Sequence, residues 1–344
     1  MKTTAFGTLE DGRSVAAYTL KCGSISVTLL NYGAIIQSII IDGVDIVCGY
    51  DTLKAYQNSS GYQGAVIGRY ANRIRGGSFV LDETKYQLAT NENGITHLHG
   101  GEIGFDRKIW KASPFSGNDF EGLSLFLISP DGEEGYPGTV CIQVTYILRE
   151  KQFSIHYRAI ADRSTILNIT NHSYFNLNGY ASGDILNHSL QIDAQAFAEI
   201  DDTLLPTGRR IAVDGTPFDF RSAKKIRRDF QCQDPQLKIA GGYDHNFYLS
   251  PVKTVVHEGK RLSRAAVLSG ENLSMTLYTD KPCMQLYTGN FMNGPLPFKN
   301  GVPQRANHAL CLETQFAPNS PNRGEAVLRP GELYDYTTLL CFSS

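Results

Sequence analysis

The sequence predicts an all-β protein, a large antiparallel β-sandwich with few and short helices. Hydrophobic and polar residues alternate with a period of two in several segments, which is typical of strands that bury one face. The 33 glycines and 14 prolines suit a chain with many turns. The 18 tyrosines and 17 phenylalanines favour strands, whereas segments with helical character are short.

The predicted strands follow one another along the chain. Alternation of apolar and polar residues covers 25–29, 140–148, 153–159 and 273–277. Turn dipeptides lie between such segments, at Asp42-Gly43, Asn178-Gly179, Ser269-Gly270 and Asn300-Gly301 among others. The acidic segment 131–138 lacks the alternating oxygen ligands of a calcium loop, so we predict that it is a hairpin connection.

Two short helices are predicted, over 52–57 after an Asp51 N-cap and over 223–230 after Ser222. Neither is long enough to connect parallel strands, which favours antiparallel sheets. A glycine-rich nucleotide-binding motif is absent, and so are a linker, a charge block and a clear repeat.

Composition excludes several classes of partner. The formal net charge of −2 leaves no basic excess for nucleic acid. The longest apolar stretches fall short of the roughly 18 residues that a membrane helix needs. The N-terminal segment lacks the pattern of a secretory signal. The seven cysteines are scattered without a Cys-x-x-Cys pair, so we expect a reducing, cytoplasmic location.

Some polar side chains do not suit a plain sandwich core. If 308–315 is a strand, Glu313 shares a face with Cys311, and partial burial would raise its pKa towards that of a useful base. The alternative is a strand-end glutamate that faces water. His172 closes an alternating run and titrates near neutral pH, so it suits a proton donor. Its alternative is a histidine hydrogen-bonded in a polar loop.

The pair His97 and His99 raises the question of a metal. Two histidines at i and i+2 on a strand share a face, and Glu102 is near, as in a cupin-type metal site. However, Gly100-Gly101 interrupts the strand and no companion motif follows. We therefore predict no metal site and interpret His97 as a loop histidine.

Taken in order, the polar segments resemble the aldose 1-epimerase family, also called galactose mutarotases. The matching motifs are 68–74 (GRYANRI), 98–101 (LHGG) with Gly104-Phe105-Asp106 and Trp110, 131–138 (DGEEGYPG), 170–177 (TNHSYFNL), 206–208 (PTG), 218–221 (FDFR), 242–247 (GYDHNF), 285–291 (QLYTGNF), 312–315 (LETQ) and Pro321-Asn322. One such motif would be weak evidence, but ten in the same order are specific. The chain departs from the family pattern at Asn319 and Arg323, which bears on a loop near the site.

The resemblance implies a β-sandwich of the galactose mutarotase type that interconverts the α and β anomers of free aldohexoses, such as galactose and glucose, without a cofactor. It implies that Glu313 is the general base and His172 the general acid. The residues that would bind and orient the sugar are Asn72, Arg73, His99, Tyr174, Asp244 and Gln285. Length alone suggests about two domains. Because these site residues span most of the chain, we expect one domain, 1–344.

The chemistry of anomerisation agrees with these residue types. It removes the proton of the C1 hydroxyl and protonates the ring oxygen, so one carboxylate and one imidazole suffice. Arg73 and His99 suit a developing charge on an oxygen. Tyr174 and Phe291 offer rings to the C–H face of a sugar, although such rings are more often core residues.

Two alternatives remain open from the sequence. A hexose-6-phosphate mutarotase would need clustered arginines, and Arg69 and Arg73 are present. A non-catalytic sugar-binding protein on the same fold would not need both Glu313 and His172. The partner is a small-molecule aldose in the preferred interpretation, with monomer and dimer both open.

Overall fold

Strands dominate the computed structural model, which describes residues 1–343, and every pairing between these strands is antiparallel. The strands are β1 Lys2–Thr8, β2 Ser14–Cys22, β3 Ile25–Leu30, β4 Ile36–Ile41, β5 Val44–Asp45, β6 Val66–Ile67, β7 Arg73–Arg75, β8 Ser78–Leu81, β9 Thr84–Gln87, β10 Thr96–Leu98, β11 Lys111–Ser116, β12 Phe120–Ser129, β13 Val140–Arg149, β14 Gln152–Ala161, β15 Thr165–Ile166, β16 Thr170–Asn171, β17 Tyr174–Phe175, β18 Ser189–Ile192, β19 Ala194–Ile200, β20 Pro206–Ala212, β21 Lys224–Lys225, β22 Asp244–Leu249, β23 Thr254–His257, β24 Lys260–Ser269, β25 Ser274–Thr279, β26 Cys283–Tyr287, β27 Leu310–Gln315, β28 Val327–Leu328 and β29 Tyr334–Ser343. The helices are α1 Leu53–Asn58, α2 Arg227–Phe230 and α3 Pro235–Ala240, with single 3-10 turns at Phe105–Arg107, Glu133–Gly135, Lys299–Gly301 and Ser320–Arg323.

Three sheets contain most of these strands. The first has five strands in chain order, β1 to β5. The second has ten, with the order β11-β12-β13-β14-β29-β25-β24-β18-β21 and β23 paired to β24. The third has six, with the order β17-β27-β26-β22-β19-β20. One apolar cluster contains side chains from all three, among them Val27, Val144, Leu286, Leu312 and Leu340, which confirms the predicted antiparallel sandwich.

The predicted strands at 25–29, 140–148 and 153–159 are observed as parts of β3, β13 and β14, and the one predicted at 273–277 is observed as β25, which begins at Ser274. In β13 the residues of one face are buried and those of the other are partly or fully exposed, which is the physical origin of the alternation. The acidic segment 131–138 joins β12 to β13, which confirms the predicted hairpin connection.

The helix predictions were less accurate. Helix α1 begins one residue late because Thr52 is the N-cap, its Oγ1 accepting the Ala55 N–H at 3.2 Å. The predicted helix over 223–230 is wrong in its first half, where β21 pairs with β18. Helix α3 was not predicted, although Asp234 caps its start and Gly241, with φ of 65°, follows its end. No helix within residues 1–343 has the length and apolar character to cross a membrane.

Candidate active site

The six-stranded sheet has one face towards the core and one towards a pocket. Leu286 and Leu312 belong to the core cluster, whereas their neighbours Gln285 and Glu313 point to the opposite side and line the pocket. Alternate side chains along each strand therefore pack in the core or line the pocket.

Strand register brings the polar side chains of this face together. One row across the sheet consists of Tyr174, Cys311, Tyr287 and Asp244, in which each residue pairs with the next. The adjacent row on the same face consists of Glu313, Gln285 and Asn246. Residues that are 139 positions apart in sequence, such as His172 and Cys311, thereby come into contact.

A second wall comes from the loops around β7 and β10, which pair with each other. Asn72 and His99 have left-handed backbone conformations, with φ of 68° and 53°. The Asn72 N–H donates to Nδ1 of His99 at 3.1 Å, and the His99 N–H donates to the Asn72 carbonyl at 3.3 Å. Burial, and then the charges of His172 and Arg73, hold the pKa of His99 well below its usual value. His99 is therefore a neutral imidazole whose proton is on Nε2.

His172 follows β16 and is held at its backbone by Ala65 and Gly64, with hydrogen bonds of 2.9 and 3.0 Å. Its ring is surrounded by other rings, with centroid distances of 5.0 Å to Tyr174, 5.3 Å to His99 and 5.9 Å to Tyr62. The side chain is buried, and burial lowers the pKa of His172 to about 4. The imidazole is thus positioned by packing rather than by an exposed loop.

Glu313 lies beside this ring, with 3.6 Å between its Oε1 and Nε2 of His172. Glu313 is only 2% exposed, so the alternative of a glutamate facing water is wrong and its expected burial is confirmed. Burial raises the pKa of Glu313 well above its usual value, the nearby Asp244 adds to the rise, and Arg73 opposes it. Both pKa shifts favour an uncharged pair that shares one proton.

Arg73, Asp244 and Gln285 form the polar rim around this pair. Arg73 makes a bidentate ion pair with Glu92, with a shortest distance of 2.8 Å, and Gln285 Nε2 donates to Asp244 Oδ1 at 2.7 Å. Burial by itself would lower the pKa of Arg73, but the carboxylates of Asp244, Glu92 and Glu313 outweigh it and raise the pKa. Burial raises the pKa of Asp244, against the effect of Arg73.

The pocket above these groups has a volume of about 670 Å³. All eight residues predicted from the sequence line it, namely Asn72, Arg73, His99, His172, Tyr174, Asp244, Gln285 and Glu313. Phe291, also singled out from the sequence, lies at the rim and is 60% exposed. Tyr62, Glu92 and Tyr287 line the pocket as well and were missed. No sequence pattern marks Glu92, because its role depends on the fold that brings it to Arg73.

The structure separates the two histidines that raised the question of a metal. The interpretation of His97 as a loop histidine is wrong, because His97 is buried on β10. Its Nδ1 lies 2.7 Å from the Ala89 carbonyl and its Nε2 2.5 Å from the Tyr136 hydroxyl. His99 lies beyond the strand and faces the pocket, so the two do not form a chelate. Within residues 1–343, the ligand atoms of His172, Cys311 and Glu313 do lie within 4.8 Å of one another. Burial raises the pKa of both the Cys311 thiol and the Glu313 carboxyl, so two of these donors would have to lose protons before binding a metal.

The two departures from the family pattern lie behind the pocket. The Asn319 N–H donates to the Arg73 carbonyl at 2.8 Å, and its side-chain oxygen accepts the Arg75 N–H at 3.1 Å. Its φ of 59° is left-handed, which asparagine tolerates better than most residues. Arg323 contacts Glu325 at 3.3 Å. Neither side chain lines the pocket.

Comparison with known proteins shows the family of this chain. A family described as Aldose 1-epimerase matches residues 16–341. The chain is 41% identical to galactose mutarotase of Homo sapiens, covering 98% of this chain and 97% of the relative, and 37% identical to aldose 1-epimerase of Escherichia coli K12, covering 95% of both. A crystal structure of galactose 1-epimerase from Lactobacillus acidophilus superposes with a TM-score of 0.88 at 29% identity, over 99% of this chain and 98% of the other. The protein described here belongs to the aldose 1-epimerase family.

Proposed function

We propose that this protein interconverts the α and β anomers of free aldohexoses, galactose and glucose among them. The observation that supports this most directly is the contact between buried Glu313 and His172, 3.6 Å apart. They lie in a pocket whose other polar and aromatic side chains can bind the hydroxyl groups and the C–H face of a sugar. Family membership makes anomerisation the expected reaction, and the roles proposed for Glu313 and His172 are those that the resemblance to the family implies.

The reaction consists of two proton transfers and one bond cleavage. Glu313 as carboxylate takes the proton of the C1 hydroxyl, and His172 as imidazolium gives its Nε2 proton to the ring oxygen as the C1–O5 bond breaks. The product is an open-chain aldehyde beside a neutral carboxylic acid and a neutral imidazole. Rotation about C1–C2 and the reverse transfers close the ring with the other anomeric configuration.

Burial decides which charge state of the pair is favoured at each stage. The charged pair before ring opening and the neutral pair after it hold the same number of protons, so opening neutralises two buried charges. Because burial raises the pKa of Glu313 and lowers that of His172, it favours the neutral pair both in the resting site and beside the open-chain sugar. The reactive ion pair therefore forms by transfer of the shared proton from Glu313 to His172. Each of the two groups contributes about 10²–10⁴-fold to the rate.

The rest of the pocket suits the hydroxyl groups of an uncharged sugar. Nε2–H of His99 is a fixed donor, and the guanidinium of Arg73, held by Glu92, offers further donors. Gln285 Oε1 is buried without a hydrogen-bond partner and is available to a hydroxyl. Asp244 and Asn72 add acceptors, and Tyr174 adds a ring. This scheme of proton transfers requires neither a metal nor a nicotinamide, so we propose that no cofactor takes part.

The charges of the pocket do not favour a sugar phosphate. Among residues 1–343, Arg73 is the one arginine that lines it, and three carboxyl groups, of Glu92, Asp244 and Glu313, accompany it. Arg69 is not available, because its guanidinium donates to Ser129 and to the carbonyls of Pro130 and Pro137. A phosphate dianion would therefore meet more negative than positive charge.

We also propose that residues 1–344 act as one domain. The pocket lining extends from Tyr50 to Glu313, and one apolar cluster includes residues from Leu20 to Phe342. A division of the chain into two independent units would cut through both.

Polarimetry on freshly dissolved α-D-galactose and α-D-glucose tests the proposal. We expect the protein to accelerate the approach to anomeric equilibrium of both sugars, with no loss of rate in the presence of a chelator. Faster turnover of galactose 6-phosphate would favour the phosphate-specific alternative. Sugar binding measured by calorimetry, without acceleration of anomerisation, would favour a non-catalytic binding protein. Loss of activity with the chelator would indicate that a metal ion takes part.

A further inference from the structure

Cys311 contacts the proposed acid but takes no part in the proton transfers described above. Its side chain is completely buried, on the same face of β27 as Glu313, and its Sγ lies 3.5 Å from Nδ1 of His172. The imidazole thus has Cys311 at one nitrogen and Glu313, at 3.6 Å, at the other.

We propose that Cys311 is a positioning residue for His172, whose sulfur accepts the Nδ1–H and so makes Nε2 the nitrogen that gains and loses a proton. The inference rests on the proposed anomerase function, in which the Nε2 proton goes to the ring oxygen. A neutral imidazole has one N–H, and its location decides whether Nε2 or Nδ1 exchanges protons. Triads of nucleophile, base and orienting group follow the same logic, with the third group holding the far nitrogen.

The proton inventory is consistent throughout the reaction. As imidazolium, His172 has a proton on each nitrogen, with Nδ1–H directed to sulfur and Nε2–H towards the sugar. After the Nε2 proton leaves, Nδ1 keeps its own, and the neutral ring has the tautomer that takes the proton back on ring closure. Burial raises the pKa of Cys311 well above that of an ordinary thiol, so the sulfur remains a neutral thiol and does not trap the imidazolium as an ion pair.

Packing holds the ring in place, and the sulfur is the polar group at its Nδ1 edge, opposite Glu313 at the Nε2 edge. The rings of Tyr62, His99 and Tyr174 surround the imidazole and restrict its rotation. Tyr174 also pairs with Cys311 across the sheet, so the thiol and one of these rings are positioned by the same strand contact. A thiol is a weak acceptor, which suits a contact that selects a tautomer without binding the proton strongly.

Three variants test the proposal. Cys311→Ala removes the acceptor, Cys311→Ser restores one, and Cys48→Ala removes a buried thiol from the same apolar cluster without a contact to His172. We expect Cys311→Ala to lower kcat by about 10- to 100-fold with little change in KM, by analogy with other residues that orient a catalytic side chain. Cys311→Ser and Cys48→Ala should each retain kcat within about 3-fold, since neither leaves Nδ1–H unpaired.

Nitrogen-15 NMR of His172 supplies a readout that packing alone would not change. We expect the wild type to show the Nδ1–H tautomer at neutral pH, and Cys311→Ala to show a mixture. The acid limb of the pH profile of Cys311→Ala should move to lower pH, because the imidazolium loses an acceptor.

An Nε2–H tautomer in the wild-type protein would overturn the proposal, whatever the variants do. Equal loss of kcat in Cys311→Ala, Cys311→Ser and Cys48→Ala would assign the thiol to packing instead. The tautomer is measured without any turnover, so a wild type that does not anomerise sugars would refute the proposed function and leave this measurement to decide the role of Cys311 separately.

Discussion

Replacement of Glu313 by glutamine removes the proposed base and changes the shape of the side chain little. Unit charges 3.6 Å apart, at an effective dielectric constant of about 20, attract each other by about 4–5 kcal/mol. In the variant an imidazolium at His172 loses this partner, and no carboxylate remains to take the sugar proton. Since about 1.4 kcal/mol corresponds to one factor of ten in rate, we expect kcat to fall by about 10³-fold.

The assay is polarimetry of α-D-galactose, with Glu271→Gln on the surface as the matched control. KM should change little, because the glutamine still offers an oxygen and an N–H to the sugar. A Glu313→Gln enzyme that keeps its rate within about 3-fold of the wild type would refute the assignment of the base, because a general base contributes at least about 10²-fold.

Thermal unfolding separates loss of chemistry from loss of fold. The folded-state pKa of Glu313 is raised above its unfolded value, so the stability that this group contributes is fully present below the unfolded pKa and is lost as pH rises towards the folded pKa. Near neutral pH, Glu313→Gln should therefore be as stable as the wild type or more stable. Loss of activity together with a lowered melting temperature would indicate misfolding instead.

Three further results are expected. The pH profile of kcat should fall below about pH 4, where the pair of Glu313 and His172 takes up a second proton. It should fall again at higher pH, once the raised pKa of Glu313 is passed and the pair loses its shared proton. A monotonic profile would contradict this. Glu92→Gln should raise KM by about 10-fold with a smaller change in kcat, since a hydrogen bond to a charged group such as Arg73 is worth about 1.5–3 kcal/mol. The surface variant Glu83→Gln is the control and should leave KM unchanged. An unchanged KM in Glu92→Gln would show that Glu92 does not position Arg73. Leu286→Ala, on the core side of β26, should cost about 2–5 kcal/mol in the free energy of unfolding measured with urea, and a loss below about 1 kcal/mol would mean that this face is not well packed.

The sequence by itself predicted the class of fold and eight residues that line the pocket. Alternation of apolar and polar residues marked β3, β13, β14 and β25, because a strand that buries one face must show it locally. Local alternation also placed Glu313 and Cys311 on one face of a strand. The family motifs then indicated which polar residues belong together, including Asp244 and Gln285, which no local pattern connects.

Only the tertiary structure decided how these residues meet. The pairing of β21 with β18 replaced a predicted helix, because a strand partner distant in sequence outweighs local helix propensity. The ion pair of Glu92 with Arg73 depends on loops whose paths have no periodicity. The contacts of His172 with Glu313 and Cys311 depend on register between strands far apart in the chain, and a shift of one residue would turn both side chains into the core. Residue types are local information, whereas register and loop path are set by packing of the whole sandwich.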